Sequence, residues 1–224
     1  MAGQSPDRPA RLAGVLLLLT ASATAVMVIA RVVADADQAT LQESLRAIAD
    51  NRAVYGLSGL ARLLSGLTLL VAGRFLLRTQ IIRGRWATPL VPYLFILSGV
   101  CTAISGACAV LIAVYAAPTV AAATLIEVVS SLRWITGKVG FAAAGLALIV
   151  AARYQWRVGG VLRRVAPVSA VIGVAMQFIW LDAATIMHPV VGTTFFLWLL
   201  VIGTMLATGC VERRFIATYG GGED

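Results

Sequence analysis

Six long apolar segments, separated by shorter polar ones, account for most of the chain. They cover residues 12–30, 53–77, 89–116, 134–152, 165–181 and 189–210. Each is long enough for an α-helix to cross the hydrocarbon core, which takes roughly 17–25 residues. Proline and glycine mark several boundaries, with Pro89 and Pro189 at the start of two segments and Pro167 in the first turn of the fifth. The pattern predicts an all-α polytopic integral membrane protein, with six transmembrane helices in a single domain spanning residues 1–224.

The first apolar segment also has features of a secretory signal peptide. Arg8 and Arg11 precede it, and small residues occupy positions 21–23. The segment continues for seven residues beyond those positions, which brings it to the length of a spanning helix. We therefore interpret it as the first transmembrane helix.

Three stretches are less hydrophobic. Residues 35–52 contain a capping box at Thr40 and Glu43, which predicts either an amphipathic helix on the outer membrane surface or a solvated connector. Residues 119–132 form either a short surface helix or an extension of the fourth span. We expect the glycine-rich tail, residues 218–224, to be flexible.

Glycines recur at regular spacing in the second and third spans. Small residues at such positions let neighbouring helices approach closely. The third span adds a small polar face formed by Ser98, Thr102 and Ser105. We expect this face to pack on the glycines of the second span. The predicted packing glycines are Gly59, Gly66, Gly73, Gly99 and Gly106.

Composition excludes an ordinary soluble domain. Sixty per cent of the residues are hydrophobic and 12% are charged, and the mean hydropathy is +0.91. The net charge of +8 would suit a nucleic-acid-binding protein. Here, however, the arginines cluster between apolar segments, so membrane topology explains them and no nucleic-acid partner is expected.

The distribution of arginine predicts the orientation. The segment before the first span, the second and fourth connections, and the segment after the sixth span hold two, four, four and two arginines. The opposite side holds fewer basic residues, and its connections carry acids. The positive-inside rule therefore places both termini in the cytoplasm. The bias towards arginine and alanine is typical of some bacteria, so we expect a bacterial cytoplasmic membrane.

No catalytic, cofactor or metal-binding motif is present. The single histidine, His188, cannot form a bis-histidine haem site. The three cysteines form no CxxC motif and no Cys/His pair. Paired intramembrane carboxylates and phosphate-binding glycine loops are also missing. We therefore favour a non-enzymatic protein without cofactors.

Ionisable and polar residues in the outer half of the bundle are the best candidates for function. Lys138 is the only lysine, and it lies within an apolar span, where an ammonium group is costly. It either snorkels to the interface, pairs with another group, or binds a ligand. Arg62 lies deeper in the membrane than Lys138. It too either has a structural role in the bundle or binds a ligand. The complete predicted ligand-binding set is Arg62, Lys138, Gln177, Asp182, Glu127, Arg133 and His188.

The chain resembles DUF4386, a family of bacterial six-helix membrane proteins of unknown function. The likeness rests on residues 10–14, which open the first span, and on Asn51 and Arg52 after the outer amphipathic segment. It extends to Arg133 and Trp134 at the fourth span and to residues 162–173 at the fifth. The resemblance implies a six-helix membrane fold. The family has no established activity, so it assigns no functional residue.

The sequence predicts a multi-pass membrane protein that binds a small or lipid-like ligand in an outer-half polar pocket. Acting as an accessory subunit of a membrane complex is the other non-enzymatic role. Small-solute transport ranks second and membrane-embedded catalysis third. The expected partners are membrane lipids, with either other membrane proteins or a second copy of the chain.

Overall fold

The computed structural model describes residues 7–36, 40–115, 120–180 and 187–220, without the side chains of residues 41, 120–123 and 187–189. These residues form helices joined by short connections. In chain order the helices are α1 (Arg8–Val33), α2 (Leu41–Asp50), α3 (Arg52–Leu76), α4 (Gln80–Arg83), α5 (Leu90–Tyr115), α6 (Val120–Val158), α7 (Gly160–Ala175), a 3₁₀ helix (Met176–Trp180), α8 (Met187–Ala207) and α9 (Cys210–Tyr219).

Six of these helical segments are long and apolar enough to cross a membrane. They are α1, α3, α5, α6, α7 together with the 3₁₀ helix, and α8. The expectation of an all-helical chain with six long apolar helices is therefore confirmed for the part of the chain that the structure describes.

The longest helix, α6, settles one alternative left open by the sequence. It contains 39 residues and includes the whole of 120–132, so this stretch is an extension of the fourth span. At about 1.5 Å per residue the helix is roughly 58 Å long. It therefore exceeds the roughly 30 Å hydrocarbon core of a bilayer.

Two helix boundaries differ from the sequence prediction. Helix α7 begins at Gly160, so Pro167 lies inside the helix and not in its first turn. Gly159 and Gly160 both have positive φ angles and form the break before it. The sixth span ends at Ala207, and Gly209 adopts a left-handed conformation that starts the separate helix α9. The tail assigned to residues 218–224 overlaps the end of α9, and residues 221–224 lie outside the described residues.

The six long helices form a ring of neighbours. Each contacts the next in the order α8, α1, α3, α5, α6 and α7, and smaller contacts between α7 and α8 close the ring. Spans that are consecutive in the sequence are therefore neighbours in the ring, and the first and last spans, α1 and α8, also contact each other. The main apolar core fills the inside of this ring and includes Leu17, Leu148 and Leu199.

Glycine pairs bring the helices together at three of the six contacts. A Cβ atom on Gly66 would lie 2.7 Å from the carbonyl oxygen of Gly99, where α3 meets α5. A Cβ on Gly14 of α1 would lie 2.6 Å from the carbonyl of Gly203 in α8. At the contact of α6 with α7, Gly173 and Gly145 have the same relation, also at 2.6 Å. Backbones this close leave no room for a side chain.

All five glycines predicted to pack lie at the α3–α5 contact. Each has backbone or side-chain atoms of the other helix where its Cβ would stand, and the set is Gly59, Gly66, Gly73, Gly99 and Gly106. The expectation for the polar face of the third span was wrong. Ser105 Oγ donates a 2.8 Å hydrogen bond to the carbonyl of Arg133 in α6. The Thr102 hydroxyl lies beside Gly140 of α6, so this face meets α6 and not the glycines of α3.

Side-chain hydrogen bonds join the helices at the other three contacts. Besides the Ser105 bond between α5 and α6, the hydroxyls of Thr20 in α1 and Thr68 in α3 lie 2.8 Å apart. Between α7 and α8, Trp198 Nε1 donates a 2.7 Å bond to Ser169 Oγ. A side-chain hydrogen bond therefore joins the helices at each contact that lacks a close glycine pair.

Helix α2 packs on the protein itself. Thr40 and Glu43 form the predicted capping box. Ile48 is buried in a second apolar cluster, which includes Ala34, Tyr55 and Ile112. The sequence predicted the helix and its amphipathic character, and the structure adds that part of its apolar face packs on this cluster.

Candidate functional site

An apolar cavity of about 120 Å³ lies inside the ring, near the end with the arginine-rich connections. Leu17 of α1, Phe95 of α5 and Trp198 of α8 form parts of its walls, and Ile81 and Phe215 lie at its end. No charged side chain lines it among the described residues. The remaining lining consists of Leu76, Thr79, Ile82, Ala87, Thr88, Val91, Pro92, Ala151, Tyr154, Gln155, Leu162, Ile202, Leu206 and Val211.

A hydrogen-bonded chain of three side chains supports one wall of this cavity. Trp198 Nε1 donates to Ser169 Oγ, and Ser169 Oγ donates to Gln155 Oε1, both at 2.7 Å. All three side chains are buried, so bonding satisfies groups that would otherwise be costly to remove from water. The chain joins α6, α7 and α8 and fixes the Gln155 amide at the cavity.

Helices α4 and α9 close the end of the cavity. Ile81 of α4 and Val211 and Phe215 of α9 lie in its lining. The rings of Trp86, which follows α4, and Tyr219 of α9 stack with their centroids 6.4 Å apart. Neither α4 nor α9 was predicted from the sequence, because α4 has only four residues and α9 directly follows a span.

A buried carboxylate connects α9 to the beginning of α1. Glu212 accepts a 2.6 Å hydrogen bond from the backbone N–H of Asp7. The Asp7 carboxylate in turn accepts a 3.1 Å bond from the backbone N–H of Gln80 in α4. Burial raises the pKa of Glu212; the bond from Asp7 lowers it, and the Asp7 charge raises it. These contacts hold α9 and α4 together at the end of the bundle.

Arg62 lies between three helices. A Cβ atom on Gly137 of α6 would stand 2.8 Å from Arg62 Nη2 and 3.4 Å from Ser105 Oγ of α5. The guanidinium thus occupies space that a side chain at position 137 would need. From the sequence we expect Arg62 to face the bundle interior near Ser105, and the structure places it there.

Lys138 lies between two tryptophan rings. Its Nζ is 3.6 Å from the ring centroid of Trp134 and 5.9 Å from that of Trp180. The lysine is buried, whereas about half of each tryptophan is exposed. Cation–π contact stabilises an ammonium group, most strongly where water is excluded. These contacts lie where the 3₁₀ helix meets α6.

Gln177 bonds to the backbone. Its Nε2 donates to the carbonyls of Ala142 in α6 and Gly173 in α7, both at 3.1 Å. Its amide therefore helps to join α6 to α7 and the 3₁₀ helix. Like Gly145, it lies at the close contact between these helices.

The other four predicted site residues do not form a described cluster with these three. Glu127 is exposed on α6, and the Arg133 side chain is partly buried. Asp182 lies outside the described residues, and for His188 the structure describes the backbone in α8 but not the side chain. None of the seven predicted residues belongs to the described lining of the cavity.

Sequence reasoning missed Gln155 because that residue lies beyond the end assigned to the fourth span. The helical period offered a signal. Ala144, Leu148 and Gln155 lie on one face of α6 at spacings of four and seven residues, and all are buried. Extending the periodicity of α6 past Ala152 would have placed Gln155 on the buried face.

The described residues contain no group of three or more His, Cys, Asp or Glu side chains that could hold a metal ion. Comparison of the chain with protein-family models, with curated proteins and with solved structures gives no match.

Proposed function

We propose that this chain is a multi-pass protein of a bacterial cytoplasmic membrane that binds a small, lipid-like molecule inside its helical bundle without transforming it. The cavity of about 120 Å³ carries this proposal. It moves the binding site from the outer half, which the sequence favoured, to the arginine-rich end. The proposal also retains one six-helix domain, with both termini in the cytoplasm.

The size and chemistry of the cavity support a small apolar ligand. An engineered protein cavity of about 150 Å³ lined by Leu, Ile and Phe stays dry and binds benzene or xenon. The cavity here approaches that volume, and most of its wall is aliphatic or aromatic. Filling it would restore contacts that its lining atoms lack.

The arginine distribution supports the proposed orientation. Arg78, Arg83 and Arg85 follow α3, and Arg213 and Arg214 lie on α9, so both groups lie at the cavity end of the bundle. Under the positive-inside rule this end faces the cytoplasm. The cavity would then be reached from the inner leaflet, whose lipids are the expected source of a lipid-like ligand. The likeness to DUF4386 remains part of this proposal.

The outer half supports a binding site less well. The Arg62 guanidinium lies against Gly137, and the Lys138 ammonium lies over the Trp134 ring. Gln177 bonds to backbone carbonyls. These contacts favour structural roles for the three residues over a shared anion pocket.

Photolabelling tests the proposal. The protein in lipid nanodiscs would be irradiated with a cyclohexane-sized alkyl diazirine, and labelled peptides would be mapped by mass spectrometry. We expect saturable labelling of peptides that contain Leu162 and Trp198. Excess cyclohexane should compete with this labelling. Uniform, unsaturable labelling of lipid-facing segments alone would refute the proposal.

A matched pair of variants separates the cavity from the lipid. Ala151 lines the cavity, whereas Ala107 is exposed on α5. Ala151→Phe fills the cavity and should abolish the saturable labelling. Ala107→Phe adds the same ring on the outside and should leave the labelling unchanged. Equal labelling of the two variants would contradict the assigned site.

A further inference from the structure

The Gln155 side chain presents a hydrogen-bond donor to the cavity. Gln155 is 7% exposed and lines the cavity wall. Its Oε1 accepts the bond from Ser169. Among the described residues, no acceptor is bonded to its Nε2. The amide nitrogen therefore has donor capacity to spare at the cavity wall.

The structure places the Oε1 end of the Gln155 amide against Ser169 Oγ. Indole Nε1 of Trp198 can only donate, so Ser169 Oγ is its acceptor. The Ser169 proton then goes to Gln155 Oε1 at 2.7 Å, the shorter alternative to the Val165 carbonyl at 3.2 Å. The Nε2 of Gln155 is left as the group that a ligand would meet.

We propose that the cavity selects an uncharged ligand that carries an oxygen acceptor, such as a ketone or ether oxygen, and that Gln155 Nε2 donates to this oxygen. This inference rests on the proposed ligand-binding function. It adds the chemical class of the ligand and names the residue that determines specificity.

Burial argues against a charged ligand. The described lining contains no side chain of opposite charge for an ion to pair with. An ion in such surroundings would lose its hydration without compensation. A neutral ring with one oxygen keeps its apolar surface against Phe95 and Leu162 while its oxygen reaches the amide.

Water is a poorer occupant of the same place. A buried water usually makes about three hydrogen bonds and needs at least two polar partners. Apart from Gln155 and Trp198, the polar side chains of the described lining are Thr79, Thr88 and Tyr154. The proton of Thr79 Oγ1 is already donated to the carbonyl of Leu76 at 2.7 Å. A ligand oxygen needs only the single donor of Gln155, and the rest of the molecule gains apolar contacts.

Competition against the alkyl diazirine tests this inference. Cyclohexanone and methylcyclohexane have similar size and differ in the carbonyl oxygen. After correction for partitioning into empty nanodiscs, the ketone should compete roughly two- to tenfold more strongly, as expected for one neutral hydrogen bond. Cyclohexylammonium should not compete. Both measurements use the unaltered protein, so they do not depend on the folding of a variant.

Gln155→Leu should remove the preference for the ketone over methylcyclohexane. Ser169 can then donate to the Val165 carbonyl, so the bond from Trp198 survives. Gln80→Leu is the matched control at an exposed position and should retain the preference. Comparing the ratio of ketone to hydrocarbon competition between variants cancels the different partitioning of the two compounds.

Equal competition by ketone and hydrocarbon in the unaltered protein would overturn this inference while leaving the proposed function standing. The same holds if the preference survives in Gln155→Leu, or if cyclohexylammonium competes as well as the ketone. Absence of any saturable labelling would instead overturn the proposed function, and this inference with it.

Discussion

Glu212 accepts a 2.6 Å hydrogen bond from the backbone N–H of Asp7, a residue 205 positions earlier in the chain. Asp7 immediately precedes α1, and the N-terminus of a helix favours negative charge. The buried Glu212 carboxylate therefore has one stabilising contact, the hydrogen bond from the Asp7 N–H. It also has one like charge beside it, the Asp7 carboxylate. This balance makes it the best candidate for a pH-dependent contact at the cavity end.

We predict that Glu212→Gln becomes more stable relative to the unaltered protein as the pH rises from about 4 to 8. Burial raises the pKa of Glu212 in the folded protein. The folded state therefore keeps this proton to higher pH than the unfolded chain does. The stabilisation that comes from this bound proton is complete at low pH and is lost as the pH rises through the raised pKa of Glu212. The glutamine cannot ionise, and its amide oxygen still accepts from Asp7.

Melting temperatures measured across this pH range in one detergent would check the prediction. Glu127→Gln provides the control, because Glu127 is exposed on α6. The difference in melting temperature between Glu127→Gln and the unaltered protein should stay constant over this pH range. A constant difference for Glu212→Gln as well would contradict a raised pKa at that position.

We predict that Gly66→Ala destabilises the fold by about 1–3 kcal/mol, the usual cost of overpacking. The new methyl group would lie 2.7 Å from the carbonyl oxygen of Gly99, and the backbone there cannot yield cheaply. Gly192→Ala is the matched control, since among the described residues no atom outside its own stretch of α8 lies within 4 Å of a Cβ at that position. It should leave stability unchanged or raise it by about 0.4–1 kcal/mol.

Unfolding in mixed micelles with increasing denaturing detergent would rank the two glycine variants. Equal midpoints for Gly66→Ala and Gly192→Ala would show that α3 and α5 do not approach as closely in the membrane.

We predict that Trp134→Leu costs more stability than Trp134→Phe, by about 0.5–2 kcal/mol. Both changes shorten an exposed side chain, but only phenylalanine keeps an aromatic face for Lys138 Nζ, which lies 3.6 Å from the tryptophan centroid. Thermal unfolding followed by circular dichroism would measure the difference. If both variants melted at the same temperature, the ring would contribute only apolar surface.

We predict that Gln42 faces the outside of the cell and Gln80 the cytoplasm. Both side chains are exposed, Gln42 on α2 and Gln80 on α4. In a cysteine-free background, an impermeant maleimide should label Gln42→Cys on intact cells. Gln80→Cys should react only after permeabilisation. The reverse pattern would invert the proposed orientation.

Hydropathy and arginine spacing were enough to predict the six long helices, because burial in lipid makes each span nearly continuous in apolar residues. The ends were harder to place. Polar residues such as Glu127 and Gln155 lie within α6, and a window of average hydropathy excludes them although the backbone continues. For the same reason α9 was treated as the end of the sixth span, when a left-handed Gly209 starts a new helix.

The cavity had no signature in the sequence, because its walls come from residues far apart in the chain. Leu17, Phe95 and Trp198 meet only through the order of the ring. The predicted site was based instead on the isolated charged residues in apolar segments. Arg62 and Lys138 are accommodated by Gly137 and by Trp134, which local spacing does not reveal.

The pairing of Gly14 with Gly203 has a consequence for the order of assembly in the membrane. Helices insert individually before they associate. The glycine contact between α3 and α5 becomes available soon after α5 is made. Helix α1 must wait for α8, roughly 190 residues later, which at ribosomal speeds of about 5–20 residues per second takes roughly 10–40 s. Throughout that interval the first helix has no glycine partner, and Trp198 has not yet been added to the cavity. Any ligand enters a cavity that is completed late in synthesis.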